Sequence, residues 1–277
     1  MKKCAVINDL SGFGKCSLGV ALPVISAMGC EVHPLPTAVL SNQTAYDSYD
    51  MVSLTDSMNS FIEQWKKINV SFDAVLTGFV CDEKQLDIIS RFADDFKKKD
   101  SVIIVDPVMA DNGALYDGFT VSMCEKIKAL CYKADVITPN IAELALIAEE
   151  PYSENFNDIK KYCAKLINNG IKSIAATGIK SDDEISNIVC DSNGCTVITS
   201  KLSGGYFSGT GDIFSSVITG GLMRGLTLAE AAKLASDYIS ICAADTNESS
   251  YNDGVNFEKF LYLLTNYNYR EGLNCEK

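Results

Sequence analysis

The sequence predicts an α/β fold: a mostly parallel central sheet with helices on both faces and a small antiparallel extension. Three observations predict it. Short apolar runs of strand length alternate with longer stretches of helical periodicity. Runs such as "SVIIVDPVM" (101–109) are apolar at consecutive positions, as strands covered on both faces are. Residues 184–202 read as two β-runs about the turn "DSNG", a hairpin signal. The length, 277 residues, suits one large domain or two small ones. There is no Pro/Gly/Ser-rich linker, repeat or low-complexity tract, so one domain over 1–277 is the simpler reading.

The elements follow in order. "CAVIN" (4–8) is a buried strand, and the glycine-bearing turn "DLSGFGKCS" follows it. "CSLGVALPVISAMG" (16–29) has helical spacing and ends on Gly29 as a C-cap. "VHPLPTAVL" (32–40) is strand or extended chain, 55–69 helix, 72–80 strand, 83–98 helix and 101–109 strand. Residues 120–133 are helix, 135–140 strand, 141–149 and 155–169 helices, and 173–179 strand. After the hairpin, helices at 212–224, 227–245 and 256–265 close the chain.

Composition narrows the function. A formal charge of −12 argues against a polyanionic partner such as nucleic acid. A small bound anion would need backbone N–H groups, a few placed cations or a metal. The eleven cysteines stand singly, with no C-x-x-C pair and one histidine, His33, to share a zinc. They read as reduced, mostly buried thiols of a cytoplasmic protein. "MKKCAVINDL" turns polar too soon for a signal peptide, and no apolar run approaches membrane-spanning length. With His33 inside a strand, a general base near neutral pH falls to a carboxylate, thiol or lysine.

Ligands of open α/β sheets bind at the carboxyl ends of the strands. Those ends carry Asn8, Asp9 and "SGFG"; "LSNQT" (40–44); Gly78 and Phe79; Asp106 and, further on, Asp111; Thr138, Asn140 and Glu143; Thr177 and Gly178. Each also has a plain structural reading: Asp106 before proline can shape a turn, and Asn140 can cap a helix. "SGTGD" (208–212) is the last such loop. Gly209 and Gly211 would let backbone N–H groups converge on an anion at a helix N-terminus, with Asp212 beside them as a base. On spacing alone, a generic helix N-terminus serves equally well, and no lysine makes this a P-loop.

These pieces resemble a known family. "SGFGKCSLGVALPVISAMG", "LSNQT", "LTGFV", "DPVMADNGALY", "ITPNIAEL" and "SGTGDIF" are similar to segments of the ribokinase-type small-molecule kinases, most of all the pyridoxal and pyridoxamine kinases. The matches span nearly the whole chain. "GTGD" and "DPVM" are shared widely, hydroxymethylpyrimidine kinases included, whereas "LSNQT" resembles the more specific "SNHT" of pyridoxal kinases. The resemblance implies a ribokinase-like three-layer sandwich and ATP-dependent phosphorylation of the 5′-hydroxyl of a B6 vitamer in pyridoxal 5′-phosphate salvage.

It also implies roles. Asp212 matches the catalytic base, and Gly209, Thr210 and Gly211 the anion hole. Asp106, Asp111 and Glu143 match acidic positions around Mg²⁺ and the phosphates. Thr138, Asn140, Thr177 and Gly178 match neighbours of the nucleotide. Thr44 and Phe79 match contacts to the pyridine ring, and Asp9, Ser11 and Gln43 complete the substrate set. The resemblance further implies a homodimer packed through the early strands and helices, and leaves room for a monovalent cation such as K⁺. Asp9 stands where serine is common, and Gln43 where histidine is. A carboxylate reaching the slot would favour pyridoxamine; one turned away would cap the glycine turn. The rival readings are a hydroxymethylpyrimidine kinase and a non-catalytic ligand sensor on the same fold.

Overall fold

The computed structural model describes residues 1–181, 183–202, 207–247 and 251–268. From the N-terminus the elements are β1 (Lys3–Ser11), α1 (Ser17–Ala27), β2 (Glu31–Leu40), β3 (Met51–Ser53), α2 (Thr55–Lys67), β4 (Phe72–Thr77) and α3 (Glu83–Phe96). Then come β5 (Lys97–Val105), β6 (Ala110–Asp111), β7 (Ala114–Leu115), α4 (Val121–Cys131), β8 (Val136–Ile137), α5 (Ile141–Ala148) and α6 (Phe156–Asn168). The last are β9 (Ser173–Ser181), β10 (Glu184–Asp191), β11 (Gly194–Lys201), α7 (Thr210–Met223), α8 (Leu228–Ala244) and α9 (Leu261–Thr265).

Nine strands form one sheet in the order β11-β10-β9-β8-β5-β4-β1-β2-β3. The six from β9 to β2 run parallel, and β3, β10 and β11 are antiparallel additions at the two edges. Strand alternation sorts the core into two layers. Ala5, Ile7, Val75, Val105 and Ile137 face α2 to α6. Cys4, Val6, Leu76, Ile104 and Val136 face α1, α7, α8 and α9. This is the three-layer ribokinase-like arrangement expected from the sequence. Among the described residues no helix is long and apolar enough to cross a membrane.

Local chemistry explains the boundaries. Gly29 closes α1 at φ +78°, as its C-cap role requires. Side chains of Asp82, Thr120, Asn140, Asn155 and Thr227 cap α3, α4, α5, α6 and α8. The hairpin forms about Asp191–Gly194 as expected. Four features differ from expectation. The edge strand β3 and the small β6–β7 hairpin are too short to show a period. β5 begins at Lys97, inside the expected helix, because backbone pairing with β4 outweighs the propensity of a lysine run. The closing helix divides into a 3-10 turn (Glu258–Phe260) and α9.

The cysteine expectation needs correction at one place. Cys190 and Cys195 are paired residues of β10 and β11, and they form a disulfide with 4.2 Å between their Cα atoms. Two cysteines equidistant from a two-residue turn are brought side by side by the ladder itself. Eight other cysteines are free thiols, and Cys275 lies outside the described residues. Alkylation without reductant should therefore leave Cys190 and Cys195 unlabelled while the free thiols label after unfolding. Cys195→Ser should cost about 2 kcal/mol or less, the value for so short a loop, read from the fluorescence of the single tryptophan, Trp65.

Candidate active site

Parallel strands bring their carboxyl ends to one edge of the sheet, and the N-termini of α1 and α7 arrive there too. These two helices lack the side-chain caps that most of the others carry: Cys16 and Gly209 occupy the cap positions without capping. Gly209 has φ +78°, and a Cβ there would lie 1.9 Å from the Lys15 carbonyl oxygen. Only glycine fits. A Cβ on Gly211 would meet nothing within 4 Å. Room therefore remains in front of the first-turn amides, where the helix dipole favours an anion.

Asp212 sits in the first turn of α7. Asn8 at the end of β1 donates its Nδ2–H to Oδ1 of Asp212 at 3.2 Å, and the backbone N–H of Ser17 donates to the same carboxylate. Burial pushes the Asp212 carboxyl up to about 6, and the charge of Asp9 adds to the rise. A base titrating there is ionised at neutral pH yet basic enough to accept a proton.

Asp9 lies beneath this pair, 4% exposed. Its carboxylate accepts the Ser11 hydroxyl at 3.0 Å, and the Ser17 hydroxyl bonds it as well. Burial raises its pKa. This is the turn-capping alternative: Ser11 and Ser17 hold the carboxylate within the turn. Ser17 reaches both carboxylates because its backbone is left-handed, φ +51°, which few non-glycine residues adopt.

Gln43 is buried, and its amide nitrogen donates to the Asn252 carbonyl oxygen. It holds the "LSNQT" loop against the chain near 252. Thr44 is exposed on that loop. Phe79 follows β4; its N–H donates to Asn8 Oδ1 at 2.8 Å, and its carbonyl accepts from Thr37 at 2.9 Å. Its ring packs edge-on against Phe119, centroids 6.2 Å apart.

The remaining acidic residues separate by role. Asp106, after β5, is turned toward the hydroxyls of Ser215 and Thr138. Glu143 closes a capping box with Asn140 and also accepts from Met109 N–H at 3.2 Å. Both carboxyls are raised well above the usual range, first by burial; Asp212 also acts on Asp106, and Asp106 on Glu143. Asp111 is bonded to Asn112 on the β6–β7 turn. Among the described residues no three His, Cys, Asp or Glu side chains gather as a metal cage. The donor set nevertheless fits Mg²⁺, which binds hard oxygens through one or two carboxylates, waters and substrate phosphates. Asn140 spends its side chain on Glu143 N–H and the Ala110 carbonyl, so it builds the helix start. Thr177 pairs with it through a backbone bridge, and Gly178, φ +87°, has open space at its α-carbon.

Sequence reasoning named Asn8 only as a polar strand end and passed over Ser17, Ser215 and Tyr116. The position of Asn8 beside Asp9 was the available signal. Ser17's left-handed backbone and the Tyr116 phenol, which burial and four carboxylates push up, had none.

Residues 22–256 match the phosphomethylpyrimidine kinase family. A pyridoxal kinase of Dictyostelium discoideum is 26% identical over 262 residues, 88% of this chain and 86% of that protein. A Bacteroides thetaiotaomicron protein, described as a phosphomethylpyrimidine kinase and crystallised with pyridoxal, is 39% identical with a TM-score of 0.90 over 95% of both chains. A Lactobacillus plantarum pyridoxal kinase is 30% identical with a TM-score of 0.87, over 95% of this chain and 96% of that one.

The two glycines of the loop should respond oppositely to a methyl group. Gly209→Ala should destabilise the fold by roughly 1–3 kcal/mol or more, from backbone strain and the carbonyl clash. Gly211→Ala should leave the melting temperature nearly unchanged but weaken ADP binding severalfold in calorimetric titration.

Proposed function

The chain belongs to the phosphomethylpyrimidine kinase family and is a phosphotransferase with an alcohol acceptor; we propose that the alcohol is the 5′-hydroxyl of a vitamin B6 vitamer and the donor ATP. One observation carries the substrate choice: the 39% identical Bacteroides protein, alike over 95% of its length, was crystallised with pyridoxal. The exposed Thr44 and the half-buried Phe79 support a flat aromatic substrate over the strand ends. Hydroxymethylpyrimidine is the second reading, favoured by the family that the chain matches. A vitamer order based on the charge of Asp9 is not carried forward, because Ser11 and Ser17 hold that carboxylate.

In the proposed mechanism Asp212 accepts the proton of the acceptor hydroxyl as its oxygen bonds to the γ-phosphorus. The bond to the β–γ bridging oxygen breaks, and ADP leaves. The amides of Thr210, Gly211 and Asp212 stabilise the charge on the transferring group. Asp106 would hold Mg²⁺, with Glu143 and Asp111 as the other acidic groups of the site, and the ion would supply charge neutralisation at the phosphates. Thr138, Thr177 and Gly178 line the nucleotide side, with room for the donor beside Gly178.

A homodimer is part of the proposal. Leu10 pairs with Val39, and Val39 with Val52, so the three form a ladder on one face of the sheet edge. They are 39%, 41% and 63% exposed. A contiguous apolar row that runs out to the edge strand β3 calls for a cover, and a second copy can supply an identical ladder.

Asp212→Asn should lower turnover roughly 10²–10⁴-fold with nucleotide binding intact, the range for loss of a general base. The ionised carboxylate is the active form, so wild-type kcat/KM should fall as pH drops through about 6. Steady-state assays with pyridoxal, pyridoxamine, pyridoxine and hydroxymethylpyrimidine test the substrate; a wide margin for hydroxymethylpyrimidine would overturn the B6 reading. Val52→Asp should convert the dimer to monomer in light scattering, and a monomeric wild type would refute the interface.

A further inference from the structure

We propose that Asn8 is the positioning residue of the base: its side-chain amide, clamped between β1 and β4, holds the Asp212 carboxylate at the mouth of α7. The inference rests on the assignment of Asp212 as the base. Asn8 is 3% exposed, and its Oδ1 accepts two backbone N–H groups, from Asp9 at 3.0 Å and Phe79 at 2.8 Å. A flipped amide would set N–H against N–H at both, so Nδ2 must face Asp212. It does so at 3.2 Å. The neighbouring Gly78 enforces the fit, since a Cβ there would lie 2.4 Å from Nδ2.

The amide therefore joins three elements. It locks the end of β1 to the end of β4, and through Phe79 to the aromatic wall of the crevice. It then hands one N–H to a carboxylate 204 residues away. The titratable groups that face Asp212 are all acidic: Asp9 on β1, Cys16 before α1, Asp106 after β5 and Tyr116 after β7. Against these, the N–H groups of Asn8 and Ser17 are the donors that favour the ionised carboxylate. The backbone donor comes with any residue at 17; the side-chain donor depends on asparagine at 8.

Asn8→Asp is the direct test. It is nearly isosteric and keeps an oxygen for both accepted bonds, but it replaces the donor with a second carboxylate oxygen and sets like charge beside Asp212, so it is read together with a neutral variant. The acidic limb of kcat/KM should move up by about one pH unit or more, the scale of a lost charge-assisted hydrogen bond. Turnover should fall about 10-fold or more at pH 7, with the KM for ATP within about twofold. Gly78→Ala should displace the same amide with Asn8 intact and no charge added, and move the limb the same way; it therefore decides whether the shift reports the lost donor or the added charge. A limb at its wild-type position in the folded variants overturns the proposal. If Asp212→Asn is inactive while Asn8→Asp keeps the wild-type profile, only the role of Asn8 fails. If Asp212→Asn stays active, the base assignment itself fails.

Discussion

Buried carboxylates held by dipoles are what the site is built around. Asp9, Asp106, Glu143 and Asp212 occupy one crevice, and burial is the largest influence on each. Leaving such groups without partners would cost several kcal/mol each. Each instead receives N–H or O–H donors: Ser11 and Ser17 for Asp9, Ser215 for Asp106, Asn140 and Met109 for Glu143, Asn8 and Ser17 for Asp212. Neutral donors hold the carboxylates in place without cancelling their charge. Lysines in the same places would compete for the carboxylates with a divalent cation.

That requirement explains local features that look unrelated. Ser17 accepts a left-handed backbone so that its N–H and hydroxyl serve two different carboxylates. Gly78 exists to admit the Asn8 amide, and Gly209 to let the loop pass the Lys15 carbonyl. The capping box of α5 is at once a helix start and the anchor of an acidic residue. The same crevice lies at the carboxyl ends of the parallel strands, where the fold leaves backbone groups unpaired and loops free to vary.

The layers were readable because burial writes itself into a sequence as periodicity. Residues 101–105 and 173–179 could hardly be anything but covered strands, and the hairpin announced its turn. Short elements escaped, since two or three residues of β3, β6 or β7 carry no period. The Cys190–Cys195 bond escaped because it follows no C-x-x-C spacing and is marked only by symmetry about a turn. In the site, residue types were legible and directions were not. Asp9, Gln43 and Asn140 stand where the sequence implies, yet their side chains are spent on Ser11, Asn252 and Glu143. Which way a side chain turns depends on neighbours distant in the chain.

The bond between Asn8 and Asp212 joins residues 204 positions apart. β1, meanwhile, lies between β2 and β4 within the sheet. During synthesis β1, β2 and β4 are therefore made long before α7, the helix that carries Asp212. The high sequence separation makes closure of the crevice a late event. A chain interrupted before α7 lacks Asp212 and cannot close the crevice. The crevice therefore closes only once α7 has been made and has met β1.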